Sequence, residues 1–243
     1  MTPLRQQMLR AMDLKNLSPH TRRAYLSAVT NLAKHYQQSP ETITPEMIED
    51  YLLYLKNEKG NAPQSCCLRL SGLRFFYKHI LEQQMSVGFR LPKSFRRLPT
   101  VLTKAQVPRI IDAPGNLKHR LILMTTYAAG LRSAEVGHLR PEHIDSQQML
   151  IKVESGKGGK DRYTMLSKRL LAEMRRYYHA CRPQPYLFPS SYKKMKGQPL
   201  SYEAVRGIYE KALKEAGVKT GKGLHTLRHS FATHLLEAGY DIR

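Results

Sequence analysis

The sequence predicts a mainly α fold with one small β-sheet, divided between an N-terminal helical domain and a C-terminal α/β domain. Helical periodicity with clear start signals fills residues 1–84. Short β-rich runs around a glycine-rich string occur only in the second half. Residues 85–100 contain proline and several basic side chains and follow neither period, which predicts a linker. The second domain is then expected to cover residues 101–243.

The composition predicts a folded protein that binds a polyanion. The chain has 243 residues, of which 41% are hydrophobic, and this is enough for real cores. Its 40 Lys and Arg against 19 Asp and Glu give a formal net charge of +21, which favours nucleic acid as the partner. A basic protein without such a partner is one alternative. An anionic membrane surface is a weaker one, because the chain has no Trp and no helix that combines a basic face with an exposed apolar face.

Targeting signals and disulfide patterns are not evident in the sequence. No apolar run reaches the roughly 18 residues of a membrane span, and the start "MTPLRQQMLR" does not resemble a secretory signal, so we expect a cytoplasmic protein with no membrane partner. The three cysteines, Cys66, Cys67 and Cys181, form no CxxC pair and are expected to be reduced core thiols.

The N-terminal residues predict a helical bundle. Ser18 and Thr44 each precede a proline, a pairing that caps a helix and starts it. The helix after Ser18 keeps one apolar face, and the helix after Thr44 does so until Gly60. A third helix is expected at about 63–84 and a short one at 3–12. The positions expected to face the core are Tyr25, Val29, Leu32, Tyr36, Met47, Tyr51, Leu52, Leu55, Leu70, Leu73, Phe76 and Ile80.

Basic side chains on the outer helix faces and in the linker are candidates for DNA contacts, by charge and position alone. They are Arg22, Arg23, Arg69, Arg74, Arg96 and Arg97. Because the linker contains no acidic residue, we expect it to lie against phosphates. A solvated connector is the alternative interpretation.

The second half predicts more helices around one hairpin. Thr103 is expected to cap a helix, and "HRLILMTTYAAG" is typical of an apolar helix that ends at Gly130. The runs "MLIKVES" and "RYTML" predict two strands whose connecting tip is "GKGGKD". Further helices are expected at 167–179, 201–216 and 225–238.

Three separate segments carry residues suited to phosphate chemistry, and the first is "YAAGLRSAEVGHL". Here Ser133 is expected to cap the helix that follows Gly130, which leaves Arg132 at the turn between two helices. An arginine at such a junction can direct its rigid guanidinium at a phosphate. Taken alone, the segment favours an arginine that satisfies the carbonyls at a helix end.

The second segment is the hairpin tip "ESGKGGKDR". Lys157 and Lys160 lie among glycines, so the tip can approach a groove and present a cationic proton donor. The string is not a nucleotide-binding P-loop, because the Lys-Ser/Thr continuation and the following helix are missing. A solvated basic turn is the alternative.

The third segment is "LHTLRHSFATHLLEAG". His225 and Arg228 are three residues apart and share a helix face, so both can reach one small anion. The opposite face carries Leu227, Phe231 and Leu235. A zinc site at His225 and His229 is the alternative, which the missing HExxH glutamate disfavours. His229 and His234 are expected at polar or half-buried structural positions.

Taken together and in this order, the three segments resemble the tyrosine recombinase (phage integrase) family over essentially the whole chain. The similarity is to the branch that includes Xer recombinases and integron integrases. The N-terminal helices, with "LSPHTRRAYLSAVTNL", resemble that family's core-binding (SAM-like) domain. The resemblance implies a DNA-binding domain at 1–84 and an α/β catalytic domain at 101–243.

The resemblance also implies roles for individual residues. Glu135 matches an acidic position that supports the first arginine. Lys157 matches the family's hairpin lysine, which protonates the leaving 5′ oxygen. Because the GK pair is repeated, the neighbouring Lys160 is the alternative match. The His and Arg of the HxxR pair bind the scissile phosphate. The implied catalytic residues are Arg132, Lys157, His225 and Arg228.

In this family a tyrosine attacks the phosphate and forms a 3′-phosphotyrosyl link, with no metal, nucleotide or other cofactor. The implied partners are double-stranded DNA and further recombinase protomers. The family's second His or Trp and its nucleophile follow the HxxR helix, whereas this sequence ends at Arg243. We therefore expect a C-terminally truncated recombinase without its nucleophile, or alternatively a non-catalytic DNA-binding module. Tyr240 is not expected to be catalytic, and Tyr163, Tyr177 and Tyr209 are expected in the core.

Overall fold

The computed structural model describes residues 2–83, 98–154, 161–221 and 223–240. The chain divides into two compact units, residues 1–96 and residues 97–243. Each unit has its own hydrophobic core. The predicted linker and the hairpin tip at 155–160 lie largely or wholly outside the described residues.

The described part of the N-terminal unit is helical. Its helices are α1 (Pro3–Leu14), α2 (Pro19–Tyr36), α3 (Pro45–Asn57) and α4 (Pro63–His79). The predicted caps are confirmed: Ser18 Oγ accepts from the amide of Thr21 at 3.2 Å, and Thr44 Oγ1 accepts from the amide of Met47 at 3.3 Å. Each of the four helices has proline at its first position, where the missing N–H leaves no partner unsatisfied.

Helix α4 ends earlier than the sequence predicts. It stops at His79, and the amides of Leu81 and Gln83 turn back onto the carbonyls of Phe76 and Tyr77 at 3.4 and 3.0 Å. Glu82 adopts a left-handed φ of +54°, a conformation that closes a helix C-terminus. The apolar pattern therefore continues past the end of the helix.

Close packing of α2 on α4 defines the N-terminal core. A Cβ at Gly72 would lie 2.9 Å from the Cα of Tyr25, so only glycine permits this approach. Most positions predicted to face inward are buried, among them Leu32, Leu52 and Leu73, whereas others are only partly buried. The predicted helical bundle is thus confirmed.

The C-terminal unit combines six helices of the described residues with one small sheet. The helices are α5 (Gln106–Asp112), α6 (Leu117–Ala128), α7 (Ser133–Gly137), α8 (Lys168–Cys181), α9 (Tyr202–Glu215) and α10 (His225–Glu237). The antiparallel strands are β1 (Ile144–Asp145), β2 (Leu150–Val153) and β3 (Arg162–Met165), in the order β1-β2-β3. The predicted hairpin is confirmed, and β1 is an additional strand whose two residues are too few to show a period.

Capping again follows the sequence. Thr103 Oγ1 accepts from the amide of Gln106 at 3.2 Å, while Gln106 Oε1 accepts from the amide of Thr103 at 3.0 Å, which forms a capping box. Ser167 and Ser201 cap α8 and α9 through the amides three residues later, at 3.2 Å each. Gly217 follows α9 with a left-handed φ of +65°.

Two expectations about buried side chains are wrong in part. Of the cysteines, only Cys66 is buried, whereas Cys67 and Cys181 are exposed free thiols on outer helix faces. Tyr177 and Tyr209 lie in the core, but Tyr163 points outward and is 63% exposed, because successive side chains of a strand face opposite sides. Within the described residues, no helix is both long and apolar enough to cross a membrane.

Candidate phosphate-binding site

A buried carboxylate organises the turn between α6 and α7. The side chain of Glu135 is 6% exposed and accepts four hydrogen bonds of 2.8 Å each. Arg132 provides two of them, from its backbone N–H and from Nη1, and Arg162 on β3 provides the other two, from Nη1 and Nη2. Each carboxylate oxygen therefore accepts two hydrogen bonds, which matches its number of lone pairs.

These contacts keep Glu135 ionised. Burial raises the pKa of its carboxyl group, but the hydrogen bonds from Arg162 and from the backbone and side chain of Arg132 lower it further, to about 2. The carboxylate is thus negatively charged at any physiological pH. It can hold the two guanidinium groups in place without changing its own charge.

The structure corrects the predicted cap at this turn. Ser133 is the first residue of α7, and its buried hydroxyl has no hydrogen-bond partner among the described residues. Arg132 occupies the N-cap position, and the Glu135 side chain satisfies its N–H. Serine is the commoner cap, whereas here the side chain of the glutamate at the third helical position accepts from the N–H of the N-cap residue.

Arg228 lies on α10 and faces the same turn. Its Nη1 donates a hydrogen bond to the carbonyl of Gly130. Burial lowers the pKa of this guanidinium, Arg132 and Arg162 lower it further by charge repulsion, and Glu135 raises it. Arg132 is therefore not the residue that satisfies the carbonyl of Gly130, because Arg228 does so.

His225 is the first residue of α10 and is exposed. Partial desolvation lowers the pKa of its imidazole, and the nearby charges of His229, Arg228 and Arg132 lower it further. The ring therefore binds a proton less readily in the folded protein than an isolated imidazole does. The imidazole lies near the guanidinium groups of Arg228 and Arg132 and can form hydrogen bonds. An incoming anion would raise its pKa.

We call Arg132, Glu135, Arg162 and Arg228 the arginine cluster. Arg132 and Arg162 are paired with Glu135, and Arg228 lies near enough to be influenced by all three charges, which leaves an excess of two positive charges in a partly buried place. Like charges in such a place repel one another, and a second anion beside Glu135 would offset this repulsion. The arrangement suits a small, multiply hydrogen-bonded anion such as a phosphodiester.

Helix α10 is anchored to the start of the C-terminal unit. The amide of Leu102 donates to Ser230 Oγ at 2.8 Å, and His234 Nε2 lies 2.9 Å from the carbonyl of Leu102. Because a carbonyl only accepts, Nε2 donates this hydrogen bond, and Nδ1 shares a second hydrogen bond of 2.8 Å with the Tyr127 hydroxyl. His234 is thus a buried structural residue, and its contacts hold the helix that carries His225 and Arg228.

The zinc alternative gains no support from the geometry. Within the described residues, no group of three or more His, Cys, Asp or Glu side chains could hold a metal ion. His229 is exposed, whereas His234 is buried with both ring nitrogens in hydrogen bonds.

Several predicted DNA contacts can be placed in the N-terminal unit. Arg22 donates to the carbonyl of Leu17 at 2.6 Å and to the carboxylate of Asp13, so its guanidinium is engaged within the unit. Arg23 and Arg74 are exposed, and Arg69 is half-buried. The predicted Arg96, Arg97, Lys157 and Lys160 lie outside the described residues.

Comparison with protein families matches both units. The description "Phage integrase family" matches residues 100–243, which is more than half of the chain. The chain belongs to the phage integrase family of tyrosine recombinases. The description "Phage integrase, N-terminal SAM-like domain" matches residues 4–86. The resemblance inferred from the three segments is thereby confirmed.

Individual phage integrase relatives cover nearly all of the chain. The integrase/recombinase-type protein y4qK of Sinorhizobium fredii is 42% identical over 245 residues, covering 100% of this chain and 79% of that protein. The tyrosine recombinase XerA of Pyrococcus horikoshii is 33% identical over 233 residues, covering 96% of this chain and 79% of that protein. The similarity therefore extends across both units.

Solved structures of the family share the fold. The Tn1549 transposon integrase in complex with circular intermediate DNA has a TM-score of 0.74 at 18% identity, covering 100% of this chain and 89% of that one. A lambda integrase dimer bound to a COC′ core site has a TM-score of 0.73 at 16% identity, covering 97% and 89%. The predicted fold class, mainly α with a small sheet and a SAM-like N-terminal domain, is confirmed.

Arg162 is the member of the arginine cluster that the sequence did not identify. The alternation in "RYTM" places Arg162 and Thr164 on one face of the strand, but it does not indicate which face is inward. Thr164 Oγ1 donates to the carbonyl of Ala129 at 2.9 Å, so this face points toward the turn before α7. A charged residue on an inward strand face needs a partner of opposite charge, and Glu135 is that partner.

Proposed function

We propose that this chain is a site-specific DNA recombination and integration protein. It binds duplex DNA and holds the scissile phosphate for cleavage and rejoining through a phosphotyrosyl intermediate. The observation that carries the proposal is the excess positive charge of the arginine cluster beside His225. Membership of the phage integrase family supports it, as does the net charge of +21.

Each site residue has a defined task in this proposal. Arg132 and Arg228 bind the two non-bridging phosphate oxygens and stabilise the charge that develops on them during substitution at phosphorus. His225 donates a further hydrogen bond to the phosphate. Lys157, with Lys160 as its neighbour, gives a proton to the leaving 5′ oxygen. Glu135 holds Arg132 and does not touch the phosphate.

The nucleophile in the proposal is a tyrosine. Its oxygen attacks phosphorus as the bond to the 5′ oxygen breaks, and a 5′ hydroxyl later displaces it, so the phosphodiester is conserved and no cofactor is consumed. Tyr240 is not that residue. It follows the end of α10, its side chain is 62% exposed, and its amide is bound to the carbonyl of Leu235 at 3.1 Å.

The proposed partners are double-stranded DNA and further copies of the recombinase. Similar structures support both, since the Tn1549 transposon integrase is described in complex with DNA and lambda integrase as a dimer bound to a core site. We assign DNA binding to residues 1–84, a connecting role to 85–100 and phosphate chemistry to 101–243. We also propose a cytoplasmic location, because the reaction acts on chromosomal or mobile-element DNA.

A phosphate-by-phosphate binding experiment tests the proposal. Duplex sites are first selected from a random library by repeated binding to residues 1–243. Neutral methylphosphonate groups then replace single phosphates along the selected site, and affinity is measured by fluorescence anisotropy. We expect one position where the methylphosphonate lowers the DNA affinity of the wild-type protein but causes little further loss in the Arg132→Gln variant. That position identifies the bound phosphate.

The salt dependence provides a second measurement on the same complexes. Affinity should fall steeply with salt, and the slope of log K against log salt should become shallower by about one for each lost phosphate contact. Affinity that is independent of salt, or of every single phosphate, would contradict the proposed phosphate binding.

A further inference from the structure

Arg162 lies at a position from which it can control the geometry of the arginine cluster. It is the first residue of β3 and pairs with Val153 of β2. Its side chain is 33% exposed and points at Glu135 on α7. The sheet and the α6–α7 turn are therefore joined by one ion pair.

The contact is bidentate. Arg162 Nη1 lies 2.8 Å from Oε1 of Glu135, and Nη2 lies 2.8 Å from Oε2. Two parallel hydrogen bonds between a planar guanidinium and a planar carboxylate fix both the position and the rotation of the carboxylate. Arg132 Nη1 donates to the same Oε1, so the direction of its guanidinium depends on where Arg162 holds that oxygen.

The two arginines use their donors differently. Both terminal nitrogens of Arg162 are directed at Glu135, whereas Arg132 gives the carboxylate only Nη1 of its side chain. Among the described residues, Nη2 of Arg132 has no hydrogen-bond acceptor, and the side chain is 36% exposed. This difference suits Arg132 to bind an outside anion and Arg162 to bind the carboxylate.

We propose that Arg162 is a positioning residue, which fixes Glu135 and through it aims Arg132 at the phosphate. The inference rests on the proposed function, because it assumes that Arg132 binds a phosphate. Arg162 touches no reacting atom in this role. It also makes the position of Arg132 depend on the β2-β3 hairpin.

The first experiment measures how strongly each variant distinguishes the identified phosphate from its methylphosphonate replacement. Arg162→Gln should reduce this affinity ratio roughly tenfold, the value of one well-formed charged hydrogen bond. Arg162→Lys keeps the charge but offers one ammonium in place of two parallel donors, so it should restore only part of the ratio. Arg206→Gln removes the exposed ion pair with Glu210, 2.7 Å long, and serves as the matched control with an unchanged ratio.

The second experiment separates positioning from direct phosphate contact. If Arg162 acts through Glu135, the double variant Glu135→Gln/Arg162→Gln should lose no more of the ratio than Glu135→Gln alone. Losses that add in the double variant, or a wild-type ratio in Arg162→Gln, would overturn the inference. Circular dichroism establishes that each variant is folded, and Arg162→Lys carries the test if the Gln variants are not.

Failure of this inference is distinguishable from failure of the proposed function. If the wild-type protein recognises no individual phosphate, the proposed function fails before Arg162 is considered. If the wild type and Arg132→Gln differ as expected but Arg162→Gln behaves like the wild type, only the positioning role is wrong.

Discussion

Arg228 and Gly130, which are 98 positions apart in the chain, are joined by a hydrogen bond from the Arg228 guanidinium to the Gly130 carbonyl. Gly130 adopts a left-handed φ of +59°, and the Phe231 ring lies directly against its Cα. Helix α10 is therefore held against the turn that carries Arg132. The turn at Gly130 therefore supports both Arg132 and Arg228, the two arginines proposed to bind the phosphate. Disturbing this turn should affect both.

Gly130→Ala should destabilise the C-terminal unit and weaken DNA binding together. A Cβ at this position would lie 2.7 Å from Phe231, and the left-handed backbone adds strain. We expect a loss of about 1–3 kcal/mol in the free energy of unfolding, measured by urea denaturation. Gly217→Ala is the control, because its φ of +65° is similar but its nearest neighbour is 3.8 Å away. Equal losses in the two variants would refute the role of the Phe231 contact.

Arg228→Lys should weaken DNA binding although the charge is kept. The guanidinium donates to Gly130 with Nη1 and retains other donors for a phosphate, whereas one ammonium cannot replace this geometry. A loss of roughly tenfold or more in affinity, measured by fluorescence anisotropy, is expected. Arg182→Lys changes an arginine that lies over the Tyr178 ring at the end of α8, and it should bind like the wild type. A wild-type affinity for Arg228→Lys would show that charge alone suffices.

Glu135 should stabilise the fold above acidic pH. Its pKa is about 2 in the folded protein against an ordinary 4.5, so the folded state binds this proton less readily than the unfolded state. The stabilisation is complete above pH 4.5 and is lost as the pH falls through about 2. From that difference in pKa it amounts to about 3 kcal/mol.

Denaturation of the wild type and Glu135→Gln at a series of pH values tests this contribution. The difference in unfolding free energy should be large at pH 6 and should shrink steadily as the pH falls from 4.5 toward 2. Glu142→Gln removes an exposed carboxylate, 68% accessible and paired with Arg140, and should show little difference at any pH. A difference in unfolding free energy between the wild type and Glu135→Gln that stays constant with pH would contradict this dependence on the ionisation of Glu135.

The sequence predicts the helices better than the arrangement of the site. Caps such as Ser18 and Thr44 act through atoms three residues away, so local patterns are sufficient to find them. The contact between Arg162 and Glu135 spans 27 positions and depends on the register of a hairpin. Propensity favours Ser133 as the cap, but the helix begins one residue earlier in register, with Arg132 at the N-cap and its N–H bound by Glu135. Long-range pairing of this kind cannot be derived from local periodicity.

His225 should make DNA binding depend on pH. Its pKa in the free protein lies below the ordinary 6.5, so the folded state binds fewer protons than the unfolded state and loses stability as the pH falls through that range. A bound phosphate is negative and should raise this pKa, so that binding takes up a proton. Affinity should therefore increase from pH 8 to pH 6, by at most about tenfold for each unit by which the pKa rises.

Fluorescence anisotropy at several pH values, together with calorimetry in buffers of different ionisation enthalpy, measures the proton uptake. His225→Gln should flatten the pH dependence, because glutamine does not titrate. His179→Gln, at an exposed position near the end of α8, should keep the wild-type dependence. Proton uptake that persists unchanged in His225→Gln would assign the effect to another group.

Tyr240 should be dispensable for any covalent chemistry of this family member. Its side chain is 62% exposed beyond the end of α10, whereas a nucleophile must come within hydrogen-bond distance of the phosphate that Arg132 and Arg228 are proposed to hold. With a nicked suicide duplex built on the selected site, residues 1–243 should form no adduct that resists denaturing gel electrophoresis. Tyr240→Phe should bind this DNA with the wild-type affinity. An adduct formed by the wild type and abolished in Tyr240→Phe would identify Tyr240 as the nucleophile, whereas binding without any adduct agrees with phosphate recognition that is separate from the attacking tyrosine.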